Sequence, residues 1–426
     1  MIKKEVKGIG QDVLYDVLPN GLRVFLIPFK NRKNYYINYV TNFGSTTTKF
    51  IPCDGDNFIK VPYGVAHFLE HKMFEQESGE DPFEFFSKYG SDANAATGYN
   101  TTAYTVEGTE NIEENLEYLL NYVNSPYFTD ENVEKEKNII VEEINMYNDE
   151  PEGKLYEASG KAIFKRHPMR VDIGGTEKSV RSITKEDLYN CYNAFYQPSN
   201  MFLVIGGNFD VESVLNVVKN NKLLMQNNIK KDIKVAKIYE PLEVNSKFKE
   251  LKINNIMIPK LVFTLKISLK DIEEKDRFEY VMYLNLLFNI LYDSSSIFME
   301  EMLKQEKLSI LVTSKAIVDD FVLVEFIAES KVPIELKEEI VKCFKERVIT
   351  EEEVERQKKV YIASEVLKSD KVVSIVNMFL SNIVDYGDII YDKIDIVKKI
   401  NLDKMISIRK CIDIDNSSLV IGYPKE

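Results

Sequence analysis

The chain opens on an alternation. In YDVLPNGLRVFLIP, apolar and polar residues alternate on both sides of Asn20–Gly21. An Asn-Gly pair between two such runs predicts a β-hairpin. A further strand is expected at Tyr35–Gly44, a loop over 46–62, a helix from about Tyr63 to Glu75 and a second near Pro82–Tyr89. The run TGYNTTAYTVE (Thr97–Glu107) is rich in Thr and Tyr and reads as strand. Helices are expected near Ile112–Val123 and Asp130–Tyr147, then a buried strand at Asn200–Gly207.

The pattern weakens after residue 219. Between Lys219 and Lys260 there are 10 lysines against 4 acidic residues, with little periodicity. That composition predicts a linker at 223–248 between domains at 1–222 and 249–426. The second half restarts with a strand at Leu261–Ile267, helices at Arg277–Asp293 and Ser296–Lys307, and strands at Ile310–Ile317 and Phe321–Ala328. Helices then run to about residue 410, before a last strand at Ser418–Tyr423. Both halves follow one plan, so the expected fold class is α+β in two similar halves. Tyr280–Tyr292 is apolar but is interrupted by Asn285 and Asn289. It is shorter than the roughly 20 residues of a membrane span, so it reads as a buried core helix.

Composition narrows the function. The 426 residues carry a formal charge of −13, which argues against a nucleic-acid partner. No two of the four cysteines form a CxxC motif, so reduced thiols of a cytoplasmic protein are expected. The N-terminus MIKKEVKGIGQDVLYD has charges but no apolar core, unlike a signal peptide. From Glu110 to Glu152 there are 13 acidic residues and two lysines. Most of these carboxylates belong on solvated helix faces. The acidity also suggests a slight preference for basic peptides.

There are only three histidines, and two of them stand in HFLEH. On a helix His71 lies about 40° around from His67, and Glu70 about 60° to the other side. All three share a face. Two imidazoles at i and i+4 can ligate one metal ion, with the carboxylate near a bound water. HxxEH is an inverted zinc-peptidase motif, and zinc suits such ligands. The third histidine, His167, sits in KRHPMR and reads as a surface loop residue. A third ligand is then expected from a carboxylate. On the helix Asp130–Tyr147, Val133, Ile140, Ile144 and Tyr147 form an apolar stripe. Glu136 and Glu143 fall at its edge, about 40° and 60° from Ile140. Glu142 falls on the opposite face. Carboxylates turned toward a core need a cation or metal, so Glu136 and Glu143 are both candidates.

HFLEH followed by EKEKNIIVEEINMY resembles the insulinase/pitrilysin zinc metallopeptidases, the inverzincins. YDVLPNGLRVFLIP, NFGS, SDANAATGYNTTAY and FYQPSNMFLVIGGNFD fit the family in order, so the resemblance covers nearly the whole chain. HKMFE and CYNAFYQPSNM bring it nearest the bacterial YmfH-type branch. The resemblance implies two halves enclosing a substrate chamber, with zinc in the first half only. It implies zinc ligands His67, His71 and Glu143, Glu136 as the accessory carboxylate, and Glu70 as the base in peptide-bond hydrolysis. It also implies substrate adding as a strand beside Ala93, Asn94 and Ala95. One departure stands out. The family's second-half Arg and Tyr fall on Leu303 and Ile310 in SSIFMEEMLKQEKLSI. That suggests a homo- or heterodimer with a related subunit that lacks HxxEH but supplies the pair. The competing expectations are a non-catalytic peptide-binding or assembly subunit, and a closed structural metal site.

Overall fold

The computed structural model describes residues 1–227 and 232–425. Part of the expected linker, 228–231, lies outside the described residues. The chain divides into two compact units. It passes from the first to the second at Lys237, inside the expected linker. Two further segments change places. Residues 146–170 belong to the second unit, and 366–392 to the first.

The first unit is built on a seven-stranded sheet. Its order is Ile2–Val6, Gln11–Val17, Arg23–Pro28, Met201–Gly207, Tyr35–Thr41, Thr102–Gly108, Ser91–Thr97. The hairpin across Asn20–Gly21 forms as expected. All pairs are antiparallel except Arg23–Pro28 with Met201–Gly207. The Thr- and Tyr-rich run is one arm of a hairpin. Its other arm, Ser91–Thr97, was not expected as a strand because it holds small and polar residues with low β-propensity. It pairs on one side only and ends the sheet. A short ribbon, Lys49–Phe50 with Ile59–Lys60, interrupts the expected loop.

One face of this sheet carries the large core of Leu26, Tyr39, Tyr104 and Leu203, with Phe68 and Leu69 from the helix Val65–Met73. The other face is covered by the late helix Val372–Tyr386, through Val372, Ile375, Val376 and Phe379. The fit is close. A Cβ added at Gly206 would stand 2.4 Å from Val376 Cγ2. Glycine at that strand position lets the helix settle onto the sheet.

The second unit repeats the arrangement with five strands. Their order is Phe248–Ile253, Ser417–Pro424, Lys260–Ser268, Phe321–Glu329, Ile310–Val318. Only the first pair is parallel. Arg277–Tyr292 is a buried helix, as expected, with Leu284, Leu287 and Leu291 inaccessible. The helix Pro151–Ile163, which pattern reading passed over, packs on the sheet through Leu155, Ala158 and Ala162. Among the described residues no helix is long and apolar enough to cross a membrane.

His167 is not on the surface. It is 2% exposed, with Nε2 3.1 Å from Asp319 Oδ2. The reason lies in Glu240. Its carboxylate accepts the backbone N–H groups of Lys165, Arg166 and His167 and the Lys266 ammonium at 2.7 Å. One buried carboxylate thus draws the polar KRHPMR segment inward, where it accepts the backbone N–H groups of the segment's first three residues.

Candidate metal centre

The HxxEH helix is short, Val65–Met73, and has no side-chain N-cap. It starts from Gly64, whose φ of +87° is left-handed. A Cβ there would meet Gly174 O at 2.3 Å, so only glycine allows the helix to begin against that turn. Val65, Phe68, Leu69 and Met73 bury one side of the helix. Lys72 is buried too, bound to Glu75 and reaching Asn132 O at 3.4 Å on the helix Asp130–Asp149. That contact ties together the two helices that bear the candidate ligands.

His67, His71 and Glu143 converge. One donor atom from each lies within 4.8 Å of the other two. His67 Nε2 is 3.7 Å from Glu143 Oε1, and His71 Nε2 is 3.5 Å from Oε2. Zinc bonds of about 2.0–2.1 Å in a tetrahedron separate ligand atoms by about 3.4 Å, so the three fit one ion and leave a fourth position. His71 Nδ1 is 3.0 Å from Glu136 Oε1. That partner fixes the imidazole tautomer and leaves Nε2 for a metal. Glu142 is exposed, as the helical geometry expected, while Glu136 and Glu143 are partly buried. Val133, Ile140 and Ile144 are buried with Val141, but Tyr147 is 50% exposed and lies outside the stripe.

The surroundings set distinct protonation behaviour. Burial, aided by His71, pushes the His67 imidazole down to about 4, so it is neutral and ready to ligate near pH 7. Burial also acts downward on His71, but the Glu136 hydrogen bond and the charges of Glu136, Glu143 and Glu70 outweigh it and raise that group. Burial opposes ionisation of Glu136, yet His71 prevails and holds it below the usual range. Glu70 is 8% exposed, and burial raises its carboxyl. A hydroxyl donated by Thr97 works against that rise.

Sequence reading missed Thr97. The only signal was its place in NAATG, at the end of a strand not expected there. The strand brings Ala93, Asn94 and Ala95 to the sheet edge, with Ala93 buried and Asn94 exposed. In the second unit, Leu303 and Ile310 are 47% and 53% exposed.

Residues 60–177 match the insulinase (peptidase family M16) domain, and residues 182–361 match the peptidase M16 inactive domain. The uncharacterized zinc protease YmfH of Bacillus subtilis is 40% identical over 297 residues, 70% of this chain and 69% of that protein. An uncharacterized zinc protease of Rickettsia felis is 28% identical over 46% of this chain, spanning 47% of its own length. A crystal structure named as an M16-like peptidase from Alicyclobacillus acidocaldarius superposes with a TM-score of 0.91 at 30% identity, over 97% of this chain and 99% of that one. The chain belongs to the insulinase family of peptidases, family M16, in its YmfH-type branch.

Proposed function

We propose that the protein is a zinc-dependent peptidase acting on extended or unfolded peptides. The observation that carries this is the convergence of His67, His71 and Glu143 beside the buried Glu70. His67, His71 and Glu143 would hold the ion, with Glu136 orienting His71. Zinc bound there supplies Lewis acidity toward a carbonyl and acidifies water. Glu70 accepts the proton of the attacking water and hands it to the leaving amine. The open edge of Ser91–Thr97 supports substrate binding as an added strand, with Ala93–Asn94–Ala95 offering backbone groups. Such pairing reads extension more than sequence. The four free thiols suit the bacterial cytoplasm.

Thr97 sits where it can tune the base. Thr97→Val keeps the shape and removes the hydroxyl, which raises the Glu70 carboxyl further and frees its orientation. Turnover at neutral pH should fall by about 10–100-fold with zinc content unchanged, since a net hydrogen bond to a charged group is worth about 1.5–3 kcal/mol. Metal analysis beside steady-state cleavage separates this from loss of the ion.

The family resemblance implies an Arg and a Tyr for holding substrate at the positions of Leu303 and Ile310. We therefore assign the active form to a dimer whose related subunit supplies that pair. The purified chain alone should hold zinc yet cleave peptides poorly, and gain activity when mixed with such a companion. Full activity as an isolated monomer would sink the pairing. Zinc binding without cleavage in any mixture would favour an assembly subunit instead.

A further inference from the structure

The helix Pro151–Ile163 covers only part of its face of the second sheet. It packs on Ser417–Pro424, Lys260–Ser268 and Phe248–Ile253. Ser159 Oγ lies 3.3 Å from Thr264 Oγ1, which identifies the covered face. Register carries that face outward. Thr264 pairs with Glu325, and Glu325 with Ser314. Paired residues share a face, so Glu325 and Ser314 continue the row. Alternation adds Ile327, Val312 and Ile310. Val312 and Ile310 are each 53% exposed.

Glu325 is unusual in this unit. Its carboxylate accepts the Ser314 hydroxyl, Oγ at 3.2 Å. Among the described residues no lysine or arginine forms an ion pair with it. The cation four residues from Thr264 on the same strand, Lys260, is held by Glu152 at 2.5 Å and Glu329 at 2.8 Å. Burial raises the Glu325 carboxyl, with Ser314 opposing. Tyr156 stands close by, and its phenol is raised by burial and then by the charge of Glu325. The two fully buried carboxylates of this unit are answered, whereas the half-buried Glu325 is not. Glu240 takes Lys266, and Glu365 takes Lys393. A desolvated carboxylate with spare acceptor capacity on an open apolar strip is a seat waiting for a cation. The two edges of the sheet also differ. Phe248–Ile253 carries Lys249 and Lys252, which guard it, whereas the single cation of Ile310–Val318, Lys315, is turned to Asn289 Oδ1 at 2.8 Å.

We propose that this strip is a recognition site for a lysine or arginine side chain of an extended peptide, with Glu325 as counter-ion and Val312, Ile327 and Tyr156 lining its aliphatic stem. Naming that peptide as substrate rests on the peptidase reading, but the contact itself does not involve zinc. Charge complementarity selects the occupant, and the apolar walls favour a long aliphatic stem over a compact cation.

The test uses the full chain carrying Glu70→Gln, so binding is read without turnover. Fluorescent peptides that differ only in one lysine replaced by norleucine, with the position scanned, are compared by anisotropy. The lysine peptide should bind about tenfold more tightly at its best position. Adding Glu325→Gln should remove that preference while leaving norleucine-peptide affinity within about twofold. A photoreactive lysine analogue at the best position, bound to the chain with Glu325 intact, should label residues 310–327 or Tyr156. This second measurement decides the matter even if the Glu325 variant does not fold. A preference that survives Glu325→Gln, or labelling confined elsewhere, overturns the proposal. So does a Glu325→Gln variant that loses subunit association but keeps its peptide preference, because the strip then serves a protein partner. A wild-type chain with Glu70 intact that cleaves nothing in any mixture with a companion subunit, yet shows the preference, would refute the peptidase reading and leave this site standing.

Discussion

Replacing Glu70 by Gln should lower peptide turnover by about 10²–10⁴-fold while zinc stays bound, the range a positioned general base contributes. Gln has nearly the same shape, and its carbonyl oxygen can still accept the Thr97 hydroxyl. What it cannot do is take a proton. Glu70 is well placed for that task because burial raises its carboxyl, bringing it nearer the working pH than an exposed glutamate. Its neighbours hold it without neutralising it. The measurement pairs zinc content with cleavage of an unstructured peptide, assayed with any companion subunit present. Undiminished cleavage would remove Glu70 from the chemistry. Loss of zinc together with cleavage would make Glu70 a structural partner of the centre.

Much of this centre is legible in the sequence because helices convert spacing into direction. HFLEH places three groups on one face by arithmetic alone. The same arithmetic separates Glu136 and Glu143 from Glu142, and the exposure of Glu142 matches it. What the sequence hides is whatever depends on non-local pairing. Thr97 reaches Glu70 only because SDANAAT pairs with TAYTVEG, and a strand of small residues gives no periodic signal. His167 looks like loop surface in KRHPMR because its partner, Asp319, and the carboxylate that draws its backbone inward, Glu240, lie far along the chain. The exchange of residues 146–170 and 366–392 between the units is hidden for a similar reason. Composition reports a linker where lysines accumulate, but a helix that crosses over carries no mark of which sheet it will cover. Gly206 shows the constraint only once Val376 is seen against it.

Glu143 offers the sharpest test of the metal centre, because three glutamates on one helix should respond in three ways. Glu143→Gln removes a charged ligand and should weaken zinc retention most, since Glu143 alone faces Nε2 of both histidines. Glu136→Gln leaves the ligand atoms in place but exchanges a carboxylate for an amide at His71 Nδ1. An outer partner of that kind is worth about 10–100-fold in metal affinity. Glu142→Gln touches neither and should change nothing. Competition against a chelator of known affinity ranks the three, and thermal melting with and without zinc checks that each variant folds. A Glu143→Gln loss beyond the 10–100-fold class, with Glu142→Gln at wild type, would mean that zinc sits among His67, His71 and Glu143. Equal losses at 142 and 143 would mean that the ion does not sit on this face of the helix. The same ranking also bears on His71. If Glu136→Gln proves the more damaging of the two, the carboxylate at Nδ1 is a ligand in its own right, and the orienting role passes to Glu143.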